Sequence, residues 1–178
     1  MATNALAKLG FDIAGVDIAE EALKEAEAEA EAMGVTVSYS TGSCYAIPAD
    51  DASLDGVLMS DVLEHFHDLR RAVKEVYRIL KPGGIFVLDT INRTPKSWIA
   101  LILVAERLTG LIPAGTHDWR MFITPEEMEI LLLDAGFTPG PQTELLGFGP
   151  DNPLARVPKF VLTPNDTSTS YLWWAQKK

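Results

Sequence analysis

Five side chains able to do chemistry fall within eight residues in Ser60-Asp61-Val62-Leu63-Glu64-His65-Phe66-His67, directly after the apolar run 54–60. If the chain turns helical there, Asp61, Glu64 and His65 stand at i, i+3 and i+4 and share one face. Two carboxylates and an imidazole so placed can hold a divalent cation or form a general-base pair. A capped, hydrogen-bonded junction between strand and helix would use the same residues, and spacing alone leaves both readings open. His67 points elsewhere and reads as a surface histidine. A second group, His117-Asp118-Trp119-Arg120, lies in a loop just ahead of a capped helix, where loops over a sheet edge often supply substrate contacts. Asp17 closes another short apolar run, 11–17. An acid at the carboxyl end of a buried strand can accept both hydroxyl hydrogens of a ribose, and it can equally cap the helix that follows.

Several signatures are absent. No Gly-x-Gly-x-x-Gly and no Gly-x-x-x-x-Gly-Lys occurs, which weakens a dehydrogenase or NTPase reading. No Gly-x-Ser-x-Gly elbow supports a serine hydrolase. Lys81-Pro82-Gly83-Gly84 comes after a helix and before a strand, so it reads as a helix stop rather than a phosphate loop. Cys44 is the only cysteine, so an intramolecular disulfide and a Cys-rich zinc site are excluded, which fits a reducing compartment.

The elements that must position these residues alternate. Residues 2–9 read as the end of a helix capped by Gly10, and 11–17 as a strand. Residues 19–33, rich in Ala and Glu, give the strongest helix signal, and their charge reads as a solvated face. Strands follow at 35–40 and 54–60, a helix at 68–80 with Leu69, Val73, Val76 and Leu80 on one face, and a buried strand at 85–89. This alternation implies βα units, a parallel sheet and right-handed crossovers. The rhythm then breaks. Residues 92–96 form a turn and 97–108 a mostly apolar helix, while Thr124-Pro125-Glu126-Glu127 announces a helix to Gly136. Closing strands are expected at 137–147 and 171–175, joined by a loop rich in Pro, Asn, Asp and Ser.

The 178 residues carry 15 Lys+Arg and 25 Asp+Glu, a formal net charge of −10, with 15 acids and seven bases in residues 1–88. A pI near 4.7 argues against a phosphate-backbone partner, so no nucleic acid is expected. The length suits one domain, 1–178, with an insertion at about 92–123 acting as a membrane contact or substrate lid. The first residues form neither a signal peptide nor an Arg-rich transit peptide. No apolar run reaches the ~18–20 residues that span a bilayer. Residues 97–112 are apolar almost all round before Glu106-Arg107, with Trp98 opening the run and Arg93 and Lys96 ahead of it. That composition suits an interfacial helix on a membrane surface, or a lid buried on the protein's own core.

In order, these segments resemble the class I S-adenosylmethionine-dependent methyltransferases: Asp17 after a strand, Ala46-Ile47-Pro48, the strand 54–60 followed by Leu63-Glu64-His65, and Leu80-Lys81-Pro82-Gly83-Gly84. Asn92-Arg93-Thr94-Pro95-Lys96-Ser97, Gly115-Thr116-His117-Asp118-Trp119 and Phe122-Ile123-Thr124-Pro125-Glu126-Glu127 resemble the ubiquinone-biosynthesis O-methyltransferases, which methylate catechol-type hydroxyls on polyprenylated rings. The resemblance implies an α/β, Rossmann-like sheet, mostly parallel with an antiparallel closing strand. It implies Asp17 on the ribose of S-adenosylmethionine and Ser60 beside that cofactor. Asp61, Glu64 and His65 would hold a divalent metal, Mg²⁺, with Asp61 where the family usually has Glu. Ser43 stands where many of these enzymes have an acid against the adenine. His65 or His117 would accept the hydroxyl proton. The implied partners are a polyprenylated catechol, a membrane surface through about 97–112, and other quinone-biosynthesis proteins. The implied location is peripheral: the matrix face of the mitochondrial inner membrane in a eukaryote, the cytoplasmic face of the plasma membrane in a bacterium. A non-catalytic membrane scaffold with the same fold is the competing reading, and a nicotinamide dehydrogenase a distant third.

The family begins with a further strand and a Gly-rich loop at the methionine end of the cofactor, whereas Met1 here falls in the helix after that loop. The N-terminal strand is therefore expected to be missing, with strands 11–17 and 54–60 each left short of a partner and S-adenosylmethionine bound weakly by these residues alone.

Overall fold

The computed structural model describes residues 2–150, 159–164 and 166–178. They form two compact units, Met1–Asp50 and Asp51–Lys178.

In the first unit, α1 (Ala2–Lys8) precedes β1 (Ala14–Asp17), α2 (Glu20–Met33) and β2 (Ser38–Thr41). The Ala- and Glu-rich run makes α2 as expected; it buries Ala26 and Ala30, and left-handed Gly34 ends it by donating to the carbonyls of Ala30 and Glu31. Strands β1 and β2 run parallel, from Ala14 opposite Ser38 to Asp17 opposite Thr41. Gly15 is required in β1, because a Cβ there would lie 2.3 Å from the Tyr39 ring. That close approach lets the Tyr39 hydroxyl donate to Asn4 Oδ1 at 2.6 Å. Asn4, fully buried, donates in turn to the Ala26 carbonyl (3.0 Å) and to Glu29 (2.8 Å), so one satisfied amide ties α1, α2 and β2 together.

The second unit opens with β3 (Leu54–Met59), a 3₁₀ turn (Leu63–His65), α3 (Leu69–Ile79) and β4 (Leu80–Ile91). Asp68 caps α3 by accepting from the Arg71 N–H at 3.0 Å. Leu80, expected as the last helical residue, is the first of the strand. It pairs with Leu54, then the register jumps so that Gly56 faces Ile85, and the Lys81–Gly84 stretch is taken up as a bulge. The Lys-Pro-Gly-Gly stop is thus built into the sheet, with Gly83 at φ +82.

After β4, α4 (Pro95–Ser97) has a reciprocal Thr94/Ser97 capping box and continues into a π-helix, Trp98–Leu108. The helix expected at 97–108 is present but widened to i→i+5 bonding, as in Thr109 N–H to the Val104 carbonyl (2.9 Å). A 3₁₀ turn (Trp119–Met121) leads to α5 (Pro125–Ala135), whose Thr124/Glu127 capping box and Pro125 stand where the sequence puts them. Strands β5 (Phe137–Pro139), β6 (Leu146–Pro150), β7 (Phe160–Thr163) and β8 (Ser170–Lys177) complete the unit. The expected closing loop therefore contains a strand, β7; residues 151–158 of that loop lie outside the described residues.

The sheet order is β3-β4-β8-β6-β7, with β5 also on β8. β3 and β4 are parallel, and β8 lies antiparallel to β4 from Ile85/Gln176 to Ile91/Ser170, which makes it the antiparallel closing strand. Helices α3 and α5 pack together, and the core gathers Val73, Val76, Phe86, Leu132 and Trp173. Phe137 joins them, edge-on to Tyr77 (5.0 Å) and tilted against Phe86 (5.8 Å). Among the described residues, β1 pairs only with β2 and β3 only with β4.

Candidate active site

Strand β3 ends at Met59, Ser60 follows, and Asp61 takes a left-handed conformation (φ +52) that turns the chain sharply. Few non-glycine residues tolerate this conformation, and aspartate is among the better ones. The turn is anchored by β4, where the buried Asp89 accepts the Asp61 N–H through Oδ1 at 3.1 Å. Because Asp61 is left-handed, it is not part of the helical turn after it, and the i, i+3, i+4 face expected of Asp61, Glu64 and His65 does not form. The Leu63–His65 turn instead buries Glu64, 3% exposed, beside the next β4 residue, and Thr90 Oγ1 donates to Glu64 Oε2 at 2.7 Å.

The third participant, His117, lies 52 residues beyond His65 in the chain. His65 stacks on His117 with ring centroids 5.6 Å apart and planes 27° apart, and the His117 ring meets the edge of Phe122 at 5.9 Å. Glu64, His65 and His117 each offer a ligand atom, and these three atoms lie within 4.8 Å of one another. A buried carboxylate with one oxygen anchored, facing two imidazoles, fits a divalent cation. The same trio fits a proton-accepting pair, His117 or His65 beside an anion. Asp61 lies near this group. Asp61 as a residue is exposed, but partial burial of its carboxyl, then the Asp89 and Glu64 carboxylates, push it up to about 6, with His117 pulling the other way.

Sequence reasoning missed Glu106. It was read as the polar end of an apolar helix, yet it is 5% exposed. Its Oε2 accepts from the Gly115 N–H at 2.7 Å; its Oε1 accepts from the His117 N–H at 3.0 Å and meets His117 Nδ1 at 2.8 Å. Burial pushes this carboxyl up, but the Gly115 and His117 hydrogen bonds outweigh it and hold Glu106 below the usual range. A lone acid in an apolar run nine residues before Gly-Thr-His was the available signal. Asp89 and Thr90 were also passed over, although an acid closing the expected strand 85–89 has the same character as Asp17 closing 11–17.

The remaining expected residues are placed as follows. Asp17, in the first unit, ends β1 and accepts the Ala19 N–H through Oδ1 at 2.8 Å; the residue preceding α2 is Ala19, and no side chain caps that helix. Ser60 directly follows β3 in the second unit. Ser43 Oγ accepts from the Tyr45 N–H. His67 is exposed and lines an open groove of about 360 Å³ with Phe66, Leu69, Phe122, Ile123 and Ile130. Arg93 and Arg120 border this groove, paired with Glu127 and Asp118.

On the expected membrane segment, Trp98, Ile99, Leu108 and Leu111 are exposed, while Ile102 and Glu106 face inward. Leu101 packs on the Ile91, Ile102 and Phe122 cluster. No helix among the described residues is long and apolar enough to cross a membrane.

Residues 1–88 match a methyltransferase-domain family model. The chain is 36% identical over 167 residues to a ubiquinone biosynthesis O-methyltransferase of Dinoroseobacter shibae, covering 94% of this chain and 65% of that protein. It is also 36% identical to the protein of the same name from Psychrobacter arcticus, over 98% of this chain and 66% of that one. The chain thus spans just under two thirds of the length of these relatives. Among solved structures, a methyltransferase dependent on S-adenosylmethionine from Methanosarcina mazei superposes with a TM-score of 0.67 at 22% identity, over 97% of this chain and 85% of that one. The magnesium protoporphyrin IX methyltransferase of Synechocystis also gives 0.67, at 17% identity, over 99% and 68%.

Proposed function

We propose that the protein is a class I S-adenosylmethionine-dependent methyltransferase, which transfers a methyl group from that cofactor to a catechol-type hydroxyl of a polyprenylated quinone precursor. The observation that carries this reading is the buried Glu64 carboxylate facing His65 and His117 after β3. Quinone-pathway relatives at 36% identity support the substrate class. In the transfer, a catechol oxygen forms a bond to the sulfonium methyl carbon, the S–CH₃ electrons return to sulfur, and the hydroxyl proton goes to a base. His117 is the better-placed base: its Nδ1 is engaged by Glu106, so Nε2 is the nitrogen available to accept a proton. Proximity and orientation of the hydroxyl against the methyl group supply much of the acceleration.

Glu64, His65 and His117 would hold a divalent cation, with Asp61 beside them. Such a cation stabilises a catecholate oxyanion. One carboxylate and two imidazoles suit Mn²⁺, Co²⁺ or Zn²⁺ at least as well as Mg²⁺, which prefers oxygen ligands. Asp17 would take the ribose hydroxyls and Ser60 would lie beside the cofactor. The groove next to Phe122 suits an isoprenoid tail, being lined by Phe66, Leu69, Ile123 and Ile130. Exposed Trp98, Ile99, Leu108 and Leu111 suit contact with the membrane in which such a substrate resides.

The test is transfer of labelled methyl from S-adenosylmethionine to a short-chain prenylated catechol. Glu64→Ala is expected to lose at least about 100-fold in kcat while keeping its fold by circular dichroism. Undiminished transfer by Glu64→Ala would remove this cluster from the reaction, and no transfer by the unaltered protein would favour a scaffold.

A further inference from the structure

We infer that Glu106 is a positioning residue: it holds His117 as the Nδ1–H tautomer and so delivers the Nε2 lone pair to Glu64 and His65. The inference rests on the proposed role of the Glu64–His65–His117 cluster.

The geometry leaves little choice of tautomer. Glu106 Oε1 lies 2.8 Å from His117 Nδ1 and also accepts the backbone N–H of the same histidine at 3.0 Å. A neutral imidazole carries one proton, on one nitrogen. If that proton sat on Nε2, the Nδ1 lone pair would face a carboxylate oxygen at hydrogen-bond distance with nothing between them. With the proton on Nδ1, the contact is an N–H donating to an oxyanion, the stronger class of hydrogen bond. The free lone pair then belongs to Nε2, the nitrogen left to reach Glu64 and His65. A carboxylate behind a ligating or basic histidine fixes both the tautomer and the ring plane, and its removal commonly costs 10–100-fold in metal affinity.

The surroundings make Glu106 suited to this and to little else. Three donors from residues 115–117 fill its two oxygens: Gly115 N–H on Oε2, and His117 N–H and Nδ1 on Oε1. The carboxylate is thereby satisfied without a cation, and one side chain of the π-helix clamps both ends of the Gly-Thr-His loop. The widened π-helical Trp98–Leu108 segment presents Glu106 inward on the same side as Ile102, while Arg107 and Leu108 stay exposed. Lengthened bonding of this kind recurs where a helix must aim a functional side chain. Thr90 Oγ1 likewise holds Glu64 by donating to its Oε2.

Imidazole ¹⁵N spectroscopy of the full chain, without metal or cofactor and at about pH 8, above the ordinary histidine range near 6.5, reads the tautomer directly. The His117 resonances, assigned by their loss in His117→Ala, are expected to show Nδ1 protonated and Nε2 bare. Glu106→Gln should keep this form, because its amide oxygen can take the place of Oε1 and accept from Nδ1–H. Glu106→Leu removes the acceptor and should move His117 to the Nε2–H form. Co²⁺ titration forms the second arm: Glu106→Leu is expected to weaken binding by about 10–100-fold, and Glu106→Gln by less. An Nε2–H form in the unaltered chain overturns the inference without any variant, so it remains decidable even if Glu106→Leu does not fold. Retention of Nδ1–H in Glu106→Leu also overturns it, as does unchanged Co²⁺ affinity in that variant when Glu64→Ala weakens binding. Failure of the unaltered chain to bind Co²⁺ overturns the cation reading of the cluster, and the tautomer then decides the role of Glu106 by itself.

Discussion

Partial burial of the Asp61 carboxyl, then the neighbouring Asp89 and Glu64 carboxylates, push it up to about 6, although the residue as a whole stays exposed and solvent screens part of the effect. In the unfolded chain an aspartate releases its proton near ~3.9. Between those values the folded state binds the extra proton, so stability falls as pH rises from about 4 to about 6. Asn removes the titration and tolerates the left-handed backbone at φ +52. Melting temperatures of Asp61→Asn and the unaltered protein should therefore converge near pH 4, with the variant the more stable at pH 7. A variant that melts lower at every pH would mean that the carboxylate is stabilising and the proton argument wrong. At this scale the sequence revealed residue types but not partners. Glu64 and His65 were legible because they are adjacent. The left-handed turn at Asp61 was not, since it depends on Asp89 from β4 accepting its N–H. The meeting of His65 with His117 depends on Glu106 pinning a loop, which no local pattern records.

Elements were legible wherever a local rule alone decides the backbone. Thr124-Pro125-Glu126-Glu127 builds its cap from four consecutive residues, and α5 begins there. Gly34 and Gly136 terminate helices as left-handed residues for the same local reason. Reading failed where periodicity carried no information. A segment apolar all round fits 3.6 residues per turn no better than the wider π spacing, so 97–108 reads as a helix without revealing its π winding or the side on which Glu106 lies. Strand β7 was hidden in a stretch of turn-forming residues because its pairing with β6, Phe148 to Leu162, is tertiary. The helix geometry also decides which residues can probe a membrane. Trp98 is 38% and Leu108 70% exposed, whereas Leu101 packs on Ile91, Ile102 and Phe122. In a liposome flotation assay, Trp98→Asp with Leu108→Asp should release the protein from vesicles while leaving its melting temperature within about 1 °C, since surface changes of this kind are worth about 0.5 kcal/mol or less. Leu101→Asp should instead lower the melting temperature by burying an unpaired charge. Undiminished flotation of the double variant would remove the segment from any membrane role.

Across the molecule, two strands whose sequences read as interior are bordered on one side only. Among the described residues β1 has β2 and β3 has β4 as its sole neighbour, and Val16 and Leu58 on these strands are exposed. An apolar strand with unpaired N–H and C=O groups is a template for another chain, and natural edges usually carry lysine, proline or a bulge against this. Neither β1 nor β3 contains lysine or proline. The opposing influence is the formal charge of −10, most of it in residues 1–88, which repels a second copy at long range. Repulsion is screened beyond about 10 Å at 0.1 M salt and about 3 Å at 1 M, whereas backbone pairing is made at contact and is little affected. Self-association of the 178-residue chain should therefore grow with protein concentration and, unusually for so acidic a protein, with added salt. Multi-angle light scattering at 20 mM and 500 mM NaCl measures it. Val16→Lys and Leu58→Lys, each placing a cation beside an open edge, should return the chain toward a single 19.5 kDa species at both salt concentrations. A monodisperse monomer in 500 mM NaCl for the unaltered chain would show that these edges are covered in solution, and association that the lysines leave unchanged would place the contact elsewhere on the surface.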